Sequence, residues 1–214
     1  MSQNSKNNSQ ELSLRGSAKK IVEFFEITLG FILYQRGVYP QDEFVPVTRY
    51  GMSLLRPESP DLRKYIRTVL QQVQRWVVKG DCSKLLLCLV DTDSGSTIEQ
   101  WAFGIDISES GSNSNEDESA DNRINEEETK QQIRALLRQI TSSVSFLPQL
   151  DEDAEYSFCV LCHTNASGVV PKDWGDASMS TAIVHGSNKE TVQLRNFATS
   201  DHTIQASVTY SSGK

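Results

Sequence analysis

The chain has 214 residues, of which 37% are hydrophobic and 23% are charged, a composition typical of one globular domain with a single core. Its net charge of −7 argues against a nucleic-acid surface as the main function. No apolar run approaches the roughly 20 residues needed to cross a bilayer, and the polar residues 1–11 lack the apolar core of a secretory signal. The sequence therefore indicates a cytosolic or nuclear protein with a disordered N-terminus over residues 1–11.

The hydrophobic pattern alternates between helical and strand periods along the chain. Two helix starts are marked by their capping residues, because Ser17 can cap the first helix and Ser59-Pro60 gives the second a cap and an N-terminal proline. The predicted elements are a short strand at 12–15, helices at 18–35 and 60–79, a hairpin within 84–107, a helix from 125, a strand at 156–164, and terminal strands at 192–199 and 203–210. The strands predict one mixed or antiparallel sheet covered on one face by three helices, which is an α+β fold.

Two polar regions interrupt this pattern. Residues 108–123 hold five acids and one arginine, so they carry −4 of the net charge and are predicted to form a disordered acidic loop. Residues 165–190 are longer than a usual connection between strands and include Val169, Val170 and Trp174. Such a connection lets the terminal hairpin dock at more than one place. Because the apolar side of this hairpin is small, its transfer between sheet edges is expected to cost little free energy.

The third helix has one buried and one polar side. Its apolar positions recur at helical spacing, whereas Arg134, Arg138 and Gln139 lie away from that stripe. A long helix that presents strong hydrogen-bond donors on one side predicts a surface that binds other proteins.

Residues that could support catalysis are sparse. Asp91 with Asp93, and Asp151 with Asp153, are carboxylate pairs that could hold the ion of a metal-dependent hydrolase, but aspartate is common in turns. Cys159 and Cys162 lie three apart in a predicted strand, so their thiols should point to opposite faces. The histidines have no spacing suited to a metal, and the sequence has no glycine-rich phosphate loop or nucleophile elbow. We therefore predict a non-enzymatic protein without metal or cofactor and keep the hydrolase as a remote alternative.

Five segments carry a resemblance to a known family. They are ILYQRGVYP at 32–40, IEQWAF at 98–103, RQITSSVSFLP at 138–148, VPKDW at 170–174 and VQLRNFATSDHTIQASVTY at 192–210. In this order they resemble the mitotic arrest deficient family of spindle assembly checkpoint proteins, in its fungal form. The resemblance implies a HORMA domain over residues 12–214, whose C-terminal segment 165–214 works as a mobile safety belt.

The resemblance also implies a two-state mechanism. In the open state, the terminal hairpin covers the edge strand at 156–164. In the closed state, it pairs beside the strand at 98–107, and the vacated edge accepts a partner peptide under the belt. The implied site residues are Arg138, Gln139 and Phe146 for pairing of open and closed copies, Tyr156, Phe158, Val160 and Cys162 in the edge strand, Trp174, Val192, Leu194, Arg195, Phe197, Ile204 and Val208 in the belt, Leu14 for the balance of states, and Trp76 and Trp101 in the core.

The implied partners are a coiled-coil kinetochore checkpoint receptor, the propeller-type activator of the anaphase-promoting complex, a second copy of the chain and a AAA+ remodelling ATPase. The chain would then inhibit that activator and delay anaphase, at the kinetochore, in the nucleus and in the cytoplasm. Nucleic acid and membrane are not implied partners. A HORMA adaptor of translesion polymerase or of the meiotic axis stays open as an alternative.

Overall fold

The structure, a computed structural model, describes residues 2–108, 118–165 and 169–212. The helices are α1 (Ser2–Gln35), α2 (Pro60–Lys79) and α3 (Glu118–Ser142), and the strands are β1 (Phe44–Arg49), β2 (Met52–Pro57), β3 (Cys82–Asp91), β4 (Thr97–Ile107), β5 (Tyr156–Thr164), β6 (Lys189–Gln193), β7 (Phe197–Ala198) and β8 (His202–Ser211). Strands β1 and β2 form a separate hairpin. The other strands form one antiparallel sheet in the order β5-β3-β4-β8-β6, with β7 beside β8. The predicted α+β architecture of three helices on a sheet is confirmed.

The centre of the sheet follows the predicted apolar pattern. In β3, all side chains from Leu85 to Leu89 are at most 3% exposed, as expected for a strand with both faces covered. In β4, Trp101, Phe103 and Ile105 alternate with less buried residues and join the core on the helix side. The predicted hairpin of β3 and β4 is confirmed by their antiparallel pairing.

Helix α1 differs from the prediction at its N-terminus. Its backbone is helical from Ser2, so the predicted disorder of residues 1–11 and the predicted strand at 12–15 are wrong for the described residues. Residues 12–15 instead continue the helix. The helical form lets Ser13 and Ser17, one helical turn apart, both bond to the C-terminal part of the chain.

Helices α2 and α3 agree with the sequence to different degrees. Both predicted ends of α2 are confirmed. Ser59 caps the start by accepting a hydrogen bond from the Leu62 N–H, and Gly80 ends the helix with a φ of 72°. Helix α3 begins at Glu118, seven residues before the predicted start. The rest of the predicted acidic loop, residues 109–117, lies outside the described residues. No helix in the described ranges is long and apolar enough to cross a membrane.

The core joins α1 to both halves of the sheet through aromatic rings. The ring centroid of Phe24 lies 6.0 Å from that of Phe103 in β4 and 4.7 Å from that of Phe197 in β7. Gly30 of α1 allows β2 to pack directly against the helix. A Cβ at this position would lie only 2.7 Å from Cδ of Pro57 in β2. The C-terminal segment is therefore part of the core and not an appendage.

Candidate functional site

The terminal hairpin docks on β4. Strand β8 pairs with β4 from His202 to Tyr210, which places Ile204, Ala206 and Val208 opposite Ile105, Phe103 and Trp101. Those three β8 side chains are at most 2% exposed. The predicted belt residues Val192 and Leu194 are half-buried beside β8, and Phe197 is buried in the core. The hairpin therefore occupies the position that the resemblance assigns to the closed state.

The outer edge of β5 is the opposite border of the sheet. Strand β5 pairs with β3 on one side, and no strand among residues 2–108, 118–165 and 169–212 pairs with its other side. An unpaired edge presents a row of backbone N–H and C=O groups to which another chain can add a strand. The nine residues of β5 provide a long edge of this kind.

The side chains that the sequence assigned to this edge strand contact the protein itself. The Phe158 ring packs edge-on against Tyr65 of α2 and Tyr39, with centroid distances of 5.6 and 6.1 Å. Val160 is buried, the thiol of Cys162 hydrogen-bonds with that of Cys82, and the Tyr156 hydroxyl accepts from the Asp151 N–H. The edge therefore offers a partner mainly its backbone.

The cysteine pairs in β3 and β5 lie on the two faces of the sheet. Cys159 is opposite Cys88 in register and hydrogen-bonds with it, and Cys162 bonds with Cys82. The prediction that Cys159 and Cys162 point to opposite faces is confirmed. The hydrogen bond with the neighbouring thiol, followed by burial, raises the pKa of the Cys88 and Cys162 thiols, which disfavours their reactive thiolate form.

The segment between β5 and β6 passes from the helix layer to the opposite face of the sheet. On the helix side, the Trp174 ring packs edge-on against Trp76 with centroids 4.9 Å apart, and Nε1 of Trp76 donates to the Val169 carbonyl at 3.2 Å. On the other face, Thr97 donates to the Thr181 carbonyl at 2.8 Å, and Gln100 donates to the Ala182 carbonyl. Trp76, predicted as a core residue, thus also holds the belt. Residues 166–168 and 213–214 of the predicted belt lie outside the described residues.

Helix α3 holds the hairpin through side chains that bond to belt backbone. Oε1 of Gln139 accepts from the Arg195 N–H at 2.7 Å, and Oε1 of Gln132 accepts from the Ala198 N–H at 2.8 Å. The Thr129 hydroxyl donates to the Ala198 carbonyl at 2.7 Å. The sequence pointed to Gln139 for contact with a second copy, whereas here it binds the belt. Gln132 and Thr129 were missed because nothing in the helix pattern says which polar residues meet a distant segment.

Two predicted residues of the pairing surface are exposed. Arg138 is exposed, and Phe146 is 38% exposed beside Tyr210, with ring centroids 6.2 Å apart. Arg195, on the mobile hairpin in the prediction, is also exposed. These residues offer a cation and an aromatic ring at a surface where α3 and the end of β8 meet.

A second set of contacts joins the turn before β8 to α1. Oγ of Ser17 lies 2.5 Å from Oγ1 of Thr199 and 2.6 Å from Nδ1 of His202, and all three residues are buried. Nearby, the Ser13 hydroxyl donates to Asp201 at 2.6 Å. Burial lowers the pKa of His202 below its ordinary value, against the opposing effects of the Val77 carbonyl and Asp201. No motif or spacing in the sequence indicates this cluster, since the histidines are scattered along the chain. Leu14, the predicted state-balance residue, is half-buried on the same part of α1.

A buried ion pair lies under the start of β4. Nη2 of Arg36 is 2.9 Å from Glu99, whose other oxygen accepts from Nε1 of Trp101 at 2.7 Å. Burial raises the pKa of Glu99, although Arg36 and the Trp101 N–H oppose that shift. The pair borders a cleft of about 580 Å³ between β4, the loop after α3 and the end of β8. Trp101 is 1% exposed, which confirms it as a core residue.

The carboxylates considered for a hydrolase serve turns. Asp91 accepts from the backbone and the hydroxyl of Ser94, both at 2.7 Å, and these bonds lower its pKa. Asp151 accepts from the Asp153 N–H at 3.2 Å. Within the described part of the chain, no three His, Cys, Asp or Glu residues cluster in a way that could hold a metal. Nothing in this geometry favours the hydrolase.

Comparisons with known proteins agree with this geometry. The HORMA domain model matches residues 17–202. The chain is 44% identical to the mitotic spindle checkpoint component MAD2 of Saccharomyces cerevisiae, covering 94% of this chain and 98% of that protein. It is 35% identical to the mitotic spindle assembly checkpoint protein MAD2A of Homo sapiens, covering 94% and 93%.

Solved structures show the same likeness. A chain in the crystal structure of the mitotic checkpoint complex superposes with a TM-score of 0.78 at 34% identity, covering 91% of this chain and 98% of that one. Caenorhabditis elegans HTP-2 bound to an HTP-3 closure motif shares the fold with a TM-score of 0.71 at 12% identity, covering 91% and 85%. The chain belongs to the HORMA domain family, as a spindle checkpoint protein of the mitotic arrest deficient type in its fungal form.

Proposed function

We propose that this chain is a non-enzymatic switch of the spindle assembly checkpoint that captures partner peptides at the outer edge of β5. The observation that carries the proposal is the placement of the terminal hairpin on β4, which leaves that edge unpaired among the described residues. Close similarity to checkpoint proteins over nearly the whole chain supports the biological role.

The edge supports recognition by strand addition. An extended peptide beside β5 would form backbone hydrogen bonds along this nine-residue strand. The belt supplies the second half of the site. Because it is held to α2 through Trp174 and to β4 through Ala182, it can retain a peptide that has already paired.

Conversion between two states follows from where the hairpin is held. In the docked state, β8 buries Ile204 and Val208, and each fully buried side chain of this size stabilises that state by about 1.5–3 kcal/mol. A hairpin that moved to the β5 edge would regain similar burial there and would block the peptide. A ligand that binds only the docked state then shifts the population toward that state. A change in the ratio of docked to undocked chains from 1:99 to 99:1 needs about 5.5 kcal/mol of differential binding.

The partners follow from the family and are part of this proposal. A coiled-coil kinetochore receptor would hold one closed copy, and an open copy would be recruited to it through α3. The recruited copy would close on the propeller-type activator of the anaphase-promoting complex and delay anaphase, and a AAA+ ATPase would reopen it. We place these events at the kinetochore, in the nucleus and in the cytoplasm. Stronger similarity to the checkpoint proteins than to MAD2B, which matches only 41% of this chain, disfavours the adaptor alternative.

Peptide capture is tested by ion-exchange chromatography of the purified chain. We expect two slowly interconverting species, which a synthetic peptide from the activator collapses to one. A single species whose elution the peptide does not change contradicts the proposal.

Self-association is tested by size-exclusion chromatography of two separate variants. Arg138→Glu reverses an exposed charge and should give a folded monomer that still binds the peptide. Gln139→Ala instead removes a bond to the belt and should weaken peptide capture as well. If Arg138→Glu self-associates like the wild-type chain, α3 is not part of the interface between copies.

The biological role is tested in S. cerevisiae cells that lack their own MAD2. Expression of this chain should restore the delay of anaphase after microtubules are depolymerised. The Arg138→Glu variant should fail to restore it. Cells that divide without delay in the presence of the folded wild-type chain would contradict the checkpoint role.

A further inference from the structure

The hydroxyl of Ser17 is shielded by the belt. Its two hydrogen-bond partners belong to the hairpin, whereas Ser17 belongs to the scaffold helix α1. Thr199, in the turn before β8, has its Oγ1 at 2.5 Å, and His202, the first residue of β8, has its Nδ1 at 2.6 Å. With the hairpin on β4, Ser17 is only 2% exposed. Departure of the hairpin removes both partners, so the same hydroxyl is covered in one state and uncovered in the other.

The residues around Ser17 form a basic sequence, Arg15-Gly16-Ser17-Ala18-Lys19-Lys20. Arg15 and Lys19 are exposed even in the docked state. A serine with an arginine two residues before it and lysines shortly after it complements the acidic substrate groove of a basic-directed protein kinase. Arg15 pairs with Glu11 at 2.7 Å and Lys20 with Glu126 at 3.6 Å, both at the surface, where a kinase groove can compete for these cations.

Gly16 makes this stretch able to leave the helix. A Cβ built on Gly16 meets nothing within 4 Å, so packing does not require a glycine there. Within a helix, glycine costs about 1 kcal/mol relative to alanine. The position therefore weakens α1 next to Ser17, and protein kinases bind their substrate segments in an extended form.

We propose that Ser17 is a phosphorylation site for a basic-directed serine/threonine kinase, open to the enzyme when the hairpin is away from β4, and that the phosphate keeps the hairpin away. This inference rests on the two positions of the hairpin in the proposed function. In the reaction, Oγ of Ser17 attacks the γ-phosphorus of Mg-ATP and loses its proton to the kinase base. The new O–P bond replaces the bond to ADP, which leaves.

The docked state has no place for a phosphate on Ser17. The hydroxyl oxygen already lies at hydrogen-bond distance from Thr199 and His202, so three added oxygens would overlap both. Phosphoserine carries a charge of about −1.5 to −2 at neutral pH, and the neighbouring Asp201 is also negative. A buried charge without a complete set of partners is strongly destabilising. Phosphorylation therefore acts against the peptide-binding state.

The test uses the purified full-length chain with the catalytic subunit of cAMP-dependent protein kinase and Mg-ATP, followed by mass spectrometry of peptides. We expect phosphate on Ser17 of the unliganded chain, none at this position in Ser17→Ala, and at least tenfold slower labelling after saturation with the activator peptide. The isolated phosphoprotein should bind that peptide at least tenfold more weakly. No label on Ser17, equal labelling in both states, or equal peptide affinity overturns the inference.

Two further measurements separate this inference from other effects. Lys19→Glu changes the charge of α1 by −2 at an exposed position and should leave peptide affinity unchanged, and thermal unfolding shows whether the phosphoprotein is folded. An equal loss of affinity in Lys19→Glu would assign the effect to general charge and overturn the inference. If the unphosphorylated wild-type chain fails to bind the peptide, the proposed function itself fails. If the chain binds the peptide and phosphorylation does not weaken that binding, only the proposal for Ser17 is refuted.

Discussion

Phe197 offers the sharpest test of whether the belt is a switch. It lies in β7, within the mobile segment, yet its ring is 1% exposed and packs 4.7 Å from the ring of Phe24 in the scaffold. Truncation of a buried phenylalanine to alanine costs about 3–5 kcal/mol, because apolar contacts are lost and a cavity remains. We expect Phe197→Ala to destabilise the docked state by that amount.

The effect on function depends on the undocked state. When the hairpin leaves β4, the Phe197 ring leaves the space between α1, α3 and β8, so its truncation should cost much less there. Since about 1.4 kcal/mol corresponds to a tenfold change in an equilibrium, the docked population should fall by a factor of about 10² to 10³ or more. Peptide affinity should fall by a similar factor, because only the docked state leaves the β5 edge open.

The assay is a fluorescence anisotropy titration of a labelled activator peptide into the variant. Ile183→Ala is the matched control, because Ile183 also lies in the belt segment but is 46% exposed. Its affinity should stay within about twofold of wild type. An affinity of Phe197→Ala equal to that of the control would mean that the ring is buried equally in both states, or that the segment does not move, and the switch argument would be refuted.

Three further predictions follow from single contacts. Gly16→Ala should raise the free energy of unfolding by up to about 1 kcal/mol, whereas Gly30→Ala should lower it, because its Cβ would meet Pro57 at 2.7 Å. Chemical denaturation measures both, and equal effects would contradict the packing argument. Peptide affinity should fall as the pH drops below about 6.5, by at most tenfold per unit, since the docked state holds His202 with a lowered pKa and the uncovered histidine binds a proton more readily. His202→Asn should abolish this dependence, and a wild-type affinity that is constant from pH 7.5 to 5.5 would exclude the effect. Trp174→Ala should speed peptide release at least tenfold in a competition chase without loss of the fold, and an unchanged release rate would show that its contact with Trp76 does not hold the belt.

Some parts of the site were predictable because their signals are local. The cap and proline before α2, the apolar run of β3 and the alternation of β4 each identify an element from neighbouring residues alone. Trp101 was assigned to the core for the same reason. The family motifs then indicated the belt and the edge strand, and the structure places them where that resemblance implied for the closed state.

Other parts could not be predicted because they depend on contacts between distant segments. Gln139 was assigned to contact with another copy, but its carbonyl oxygen binds the belt backbone 56 residues away. Residues 12–15 looked like a strand, and they are helical because Ser13 and Ser17 find partners about 185 residues later in the chain. No local sequence pattern indicates the contacts of His202.

The sequence by itself determined which segments are helices and strands in most of the chain, which faces of them are apolar, and that the last fifty residues form an amphipathic hairpin on a long tether. Only the tertiary structure decided which border of the sheet that hairpin occupies. The alternation of β8 suits any exposed edge, since backbone pairing is the same at β4 and β5. The choice is made by non-local contacts of the hairpin with α1 and α3, and these exist only once the chain has folded.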